Sequence, residues 1–87
     1  MPSRSDETNI PDLHAQILAN LRITDPEIVR PAITTGTNGE NWWAMIWNNE
    51  GEVIDCEGGY ETTVAALRGL LEYTSHKIFK KWLKRVS

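Results

Sequence analysis

Lysine is missing from the first 76 of these 87 residues, and cysteine occurs once, as Cys56. A lone cysteine excludes an intramolecular disulfide, so a hydrophobic core must hold a small domain together by itself. That usage fits a reducing compartment. No stretch approaches the roughly 18 apolar residues of a membrane span. The opening MPSRSDETNIPD lacks the apolar segment of a signal peptide. These absences predict an intracellular protein, cytoplasmic or nuclear, with no membrane span.

Reactive groups are equally sparse. His14 and His76 are the only histidines, and neither stands at a metal-ligand spacing from Cys56. Ser3, Ser5, Ser75 and Ser87 sit in no nucleophile-elbow context. Gly36-Thr37-Asn38-Gly39 lacks the lysine and the glycine spacing of a phosphate loop, and reads as a turn. The expectation is a protein that is not an enzyme, with no catalytic residue, no metal and no cofactor. Asp55 and Glu57 could form a carboxylate pair for a small hydrolase, but hairpin alternation accounts for them more simply.

What is present is unevenly distributed. The net charge of −3 conceals a split: residues 1–75 hold all twelve acids against four arginines, a balance of −8, and the last twelve residues carry +5. Such a division points to a polar or anionic partner, a self-association charge pair, or a helix end that offsets its own macrodipole.

Residues 1–8 are polar and patternless and read as a disordered arm, leaving 9–87 as a single domain. Pro11 and Asp12 suit a first helical turn, and Leu13, Ile17, Leu18 and Leu21 form one apolar stripe. Asp25-Pro26 ends that helix. Ile28–Thr35 reads as a first strand, with Pro31 marking an edge or a break. Asn38-Gly39 signals a hairpin. Asn41–Trp47 is the second strand, Asn48-Asn49-Glu50-Gly51 a type I turn with a left-handed glycine, and Glu52–Glu57 the third strand, broken by Gly58-Gly59. Thr62 or Thr63 caps a last helix running from Val64 toward Arg85, with weak points at Gly69 and at 73–76. The fold class is α+β, α-β-β-β-α: a three-stranded antiparallel sheet with an N-terminal helix and a long C-terminal helix on one face.

Trp42 and Trp43 are adjacent, so in a strand they face opposite ways. Alternation in the third strand places Ile54 and Cys56 inward, with Val53, Asp55 and Glu57 outward. A bulged type I turn then sets Trp42, Ala44 and Ile46 in the core and Trp43, Met45, Trp47 and Val53 on the outer face. A two-residue loop would exchange the tryptophan sets, because a slip of one residue flips every side chain.

The stretch WWAMIW, the turn NNEG, the strand EVIDCEGG and the helix start TTVAALRGLL resemble the double-stranded RNA-binding domain in element order. That resemblance implies the α-β-β-β-α fold. The family's helix N-terminus carries a lysine pair for RNA phosphates; here Gly59-Tyr60-Glu61-Thr62-Thr63-Val64-Ala65-Ala66 has none. The family's glycine-proline-histidine segment is replaced by Thr37-Asn38-Gly39-Glu40. The resemblance therefore implies a degenerate member that serves dimerisation or protein docking. The strand-strand-helix stretch is also similar to small antitoxin domains and to the opening of ribonuclease H-type folds, with Asp55 alone standing for the sheet carboxylates of the latter.

In the tail HKIFKKWLKRVS, Lys77, Lys80, Lys81, Lys84 and Arg85 share one helix face, and Ile78, Phe79, Trp82, Leu83 and Val86 the other. The plain reading packs that apolar side on the domain's own core. The functional reading is a protein-interaction module, a homodimer or a subunit of a larger assembly. Trp43, Met45, Trp47, Val53, Phe79 and Trp82 would meet the partner, and Asp55 and Glu57 its basic residues. The alternative is a nucleic-acid binder using Lys77, Lys80, Lys81, Lys84 and Arg85, which the acidic remainder of the chain disfavours.

Overall fold

The computed structural model describes the backbone of residues 2–86 and the side chains of residues 10–84. Its elements are α1 (Pro2–Thr24), β1 (Ala32–Thr37), β2 (Trp42–Trp47), β3 (Val53–Tyr60) and α2 (Thr63–Val86). The strands form one antiparallel sheet in the order β1-β2-β3. Segment 1–8, expected to be a disordered arm, lies outside the described side chains. The helices pack against the sheet, α2 touching all three strands and α1 lying chiefly along α2.

The core follows from two periodicities. Leu13, Ile17 and Leu21 recur at helical spacing on α1; Val64, Ala66, Leu67 and Leu70 do so on α2; Ala44 and Ile46 alternate on β2. All are buried, with Ile10, Leu18, Ile33, Trp42, Ile54, Tyr60 and Leu71 around them. Trp42 thus belongs to the core side and Trp43 to the outer face.

Local chemistry sets the connections. Thr62 is the N-cap of α2: its hydroxyl accepts from the Ala65 amide at 3.0 Å, and its carbonyl from Ala66 at 3.1 Å. In the second hairpin Asn48 Oδ1 accepts from the amides of Glu50 and Glu52, and Gly51 takes φ +77°. This is the expected turn with its left-handed glycine. The first hairpin turns at Asn38–Asn41 rather than at Gly36, which lies within β1. That strand starts only after Pro31, which cannot donate to a ladder, and so runs later than Ile28–Thr35.

The third strand departs furthest from expectation. Trp47 pairs with Val53 and Ile46 with Asp55, so Ile54 is an extra residue and the parity of the strand reverses. Asp55 and Glu57 now stand beside Ile46 and Ala44 on the helix-facing side, and Cys56 stands beside Met45 on the outside. Asp55 is 8% exposed, whereas Cys56, expected inward, is exposed. Nor do Gly58 and Gly59 end the strand. They form a second bulge opposite Trp43, Gly59 at φ +83°, and pairing resumes at Trp42–Tyr60.

Candidate functional site

Asp55 enters the inner face as a carboxylate, and burying a carboxylate requires a compensating charge. Lys77 supplies it. Its Nζ donates to Asp55 Oδ2 at 3.2 Å and lies 3.5 Å from Asp25 Oδ2. The ammonium also stands 5.7 Å from the centroid of the Tyr73 ring. Three elements meet here: β3, the loop after α1, and α2. Burial works against the Lys77 ammonium, but the hydrogen bond and charge of Asp55, then Asp25 and Tyr73, outweigh it and raise its pKa. The Tyr73 phenol is raised too, first by the charge of Asp55, then by burial and its hydrogen bond to that carboxylate.

Further along α2, Lys81 Nζ donates to the backbone carbonyl of Ile23 at 3.2 Å, at the end of α1. A lysine there satisfies a terminal carbonyl and offsets the negative end of the helix dipole. Between these ties, Asn20 Nδ2 donates to the hydroxyls of Thr74 and Ser75, both at 3.0 Å. The fully buried Thr74 hydroxyl in turn lies 3.1 Å from the Leu70 carbonyl. The 73–76 segment, read as a weak point, is thereby fastened to α1.

These contacts set the orientation of the last turns and go against the plain reading, in which the apolar side packs on the domain's own core. The side of α2 bearing Lys77 and Lys81 continues the line of the buried Leu67, Leu70 and Thr74 and faces the end of α1, with Lys77 half-buried and Lys81 exposed. Phe79, Trp82 and Leu83, of which the plain reading placed all three on the core and the functional reading left Phe79 and Trp82 for a partner, point away from it. Phe79 is 54% exposed, Trp82 57% and Leu83 43%. Ile78 remains half-buried, and with Ile23, Lys81 and Trp82 it lines a notch of about 140 Å³ beside the end of α1. Lys80 and Lys84 are exposed; the Arg85 side chain lies outside the described residues.

On the outer sheet face the tryptophans lean over β1. The Trp43 indole lies on Gly36, where any Cβ would stand 2.6 Å from its Nε1. Trp47 Nε1 donates to Thr34 Oγ1 at 2.7 Å. Trp43, Met45 and Trp47 are consequently half-buried, and Val53 is exposed next to Trp47. The six side chains expected to meet a partner therefore form two groups. Trp43, Met45, Trp47 and Val53 share one side of the sheet, and Phe79 and Trp82 lie on the helix layer behind the other. Sequence reasoning missed Leu83 as an exposed apolar residue, Gly36 as the seat of Trp43 and Lys77 as the partner of Asp55.

Among the described residues no group of three or more His, Cys, Asp or Glu side chains is placed to hold a metal ion, and no helix is long and apolar enough to cross a membrane. The Asp55 carboxylate is engaged by Lys77. No family model, curated protein or solved structure matches the chain significantly.

Proposed function

We propose that this chain is a non-enzymatic protein-interaction module whose main contact is the outward side of α2. The observation that carries the reading is the exposure of Phe79, Trp82 and Leu83 while Lys77 and Lys81 of the same turns are tied to Asp55 and to the Ile23 carbonyl. Aromatic side chains dominate binding energy at interfaces, and a contiguous apolar patch on a small domain is a contact surface before it is anything else. The outer sheet face, with Trp43, Met45, Trp47 and Val53, is a second and more self-covered patch. Docking or dimerisation of this kind is also what a degenerate relative of the double-stranded RNA-binding domain would do.

The alternative, a nucleic-acid binder, draws on the same tail. It is weakened because Lys77 and Lys81 are engaged within the chain. Photo-crosslinking separates the two. A benzophenone amino acid at position 79 should give a discrete protein adduct in the source cell, and the same group at the exposed Glu40 should not. Equal labelling at both positions, or adducts to nucleic acid alone, would overturn the reading.

A further inference from the structure

Along the outward side of α2, Glu72, His76, Phe79 and Leu83 follow one another at helical spacing, and every one is exposed. Tyr73 and Lys80 flank the row and are exposed as well. At about 3.6 residues per turn this is a continuous stripe on the surface opposite the buried Leu67, Leu70 and Thr74. It starts with the acid Glu72, passes through His76 and is apolar toward its end at Phe79 and Leu83, with the base Lys80 two turns after Glu72.

From this stripe we infer that the partner is a second copy of this chain, docked through an antiparallel α2–α2 contact with its two-fold axis at His76. The inference rests on the reading of the chain as an interaction module and names the module's occupant. Charge fixes the direction. A parallel pairing in register would set Glu72 against Glu72 and Lys80 against Lys80. Reversing one helix about His76 sets Glu72 of each copy opposite Lys80 of the other, twice over. Such an isologous contact closes on itself and leaves no edge for further growth. An anionic membrane suits the stripe less well, because Glu72 lies within it and Lys77 and Lys81 point the other way. A single helix pair buries less than the about 1,200 Å² of a standard stable interface, so the dimer should dissociate on dilution.

The full-length chain tests this directly. Cys56 is exposed and is first removed as Cys56→Ser. In that background His76→Cys should oxidise to a disulfide dimer, because only residues at the axis bring their Cα atoms within the about 4.4–6.8 Å that a disulfide spans. Glu40→Cys, on the far hairpin, should stay monomeric. In a second arm, Glu72→Lys should weaken association in light scattering by about tenfold or more, and Glu72→Lys combined with Lys80→Glu should restore it. Both variants sit on exposed positions, and an unchanged circular dichroism spectrum certifies the fold. No preference for crosslinking at position 76, or a charge swap that restores nothing, overturns the second-copy inference. A chain that is monomeric at every concentration yet crosslinks from position 79 to an unlike protein overturns it too, while leaving the interaction-module reading standing.

Discussion

Lys77 Nζ and Asp55 Oδ2 lie 3.2 Å apart, joining the last helix to an edge strand 22 positions earlier in the chain. The Asp55 side chain is 6% exposed and that of Lys77 33%. Removing the lysine therefore strands a carboxylate that water reaches poorly. Lys77→Met should destabilise the domain by about 2 kcal/mol, a value below that of a fully buried pair because the lysine is partly solvated. Urea denaturation of both proteins measures this. Asp55→Asn in the Lys77→Met background should recover part of the loss.

The same cluster gives the domain an alkaline limit. The pKa values of Lys77 and Tyr73 are both raised, as is that of Tyr60, which burial and then the charge of Glu57 push up. A raised pKa means that the folded state holds its proton longer than the unfolded chain does. The associated stability is complete below the unfolded values, about 10 for tyrosine and 10.4 for lysine, and is lost as pH rises through the folded ones. Melting temperature should thus fall above pH ~10. Ultraviolet titration should place the tyrosine midpoints above those of the urea-unfolded chain.

Gly69 is tolerated inside α2 because the Tyr60 ring lies against it. A methyl there would overlap the Tyr60 hydroxyl oxygen and ring, with Cε1 at 3.0 Å. Alanine ordinarily improves a helix interior by about 1 kcal/mol. Gly69→Ala should instead destabilise by about 1–3 kcal/mol, the cost of overpacking. The penalty should shrink in a Tyr60→Phe background, since phenylalanine lacks the overlapping oxygen.

Gly36 has the matching role on the outer face. Gly36→Ala would drive a methyl to 2.6 Å from Trp43 Nε1 and displace the indole. A loss of about 1–2 kcal/mol together with altered tryptophan fluorescence is expected. Trp43→Leu in the same chain should relieve most of it.

Phe79 and Trp82 should behave in the opposite way. Being more than half exposed, their replacement by serine should change monomer stability by no more than about 0.5 kcal/mol. Any association through α2 should nevertheless be lost. Urea denaturation at low protein concentration, set beside light scattering at high concentration, separates the two effects.

Element order, both hairpins and a threonine cap at Thr62 or Thr63 were legible in the sequence, and the inward placement of Ala44 and Ile46 was one of two registers it left open. Each is local: a turn glycine, a capping hydroxyl, or a periodicity over six to ten residues is written in neighbouring positions. The parity of β3 was not local. Alternation alone sends Ile54 and Cys56 inward, and only the bulge at Ile54 turns Asp55 inward in place of Cys56, where a lysine arriving from α2 meets it. The orientation of the last turns of α2 was hidden for the same reason. An amphipathic helix declares that it has two unlike sides, and its apolar side is assigned to the core by default. Here Asp25, Asp55 and the Ile23 carbonyl tie Lys77 and Lys81 to the domain, and the aromatics are left outside. By itself the sequence determined which elements form and in what order. Which side of each element faces which neighbour was decided by charges that become neighbours only in the folded chain.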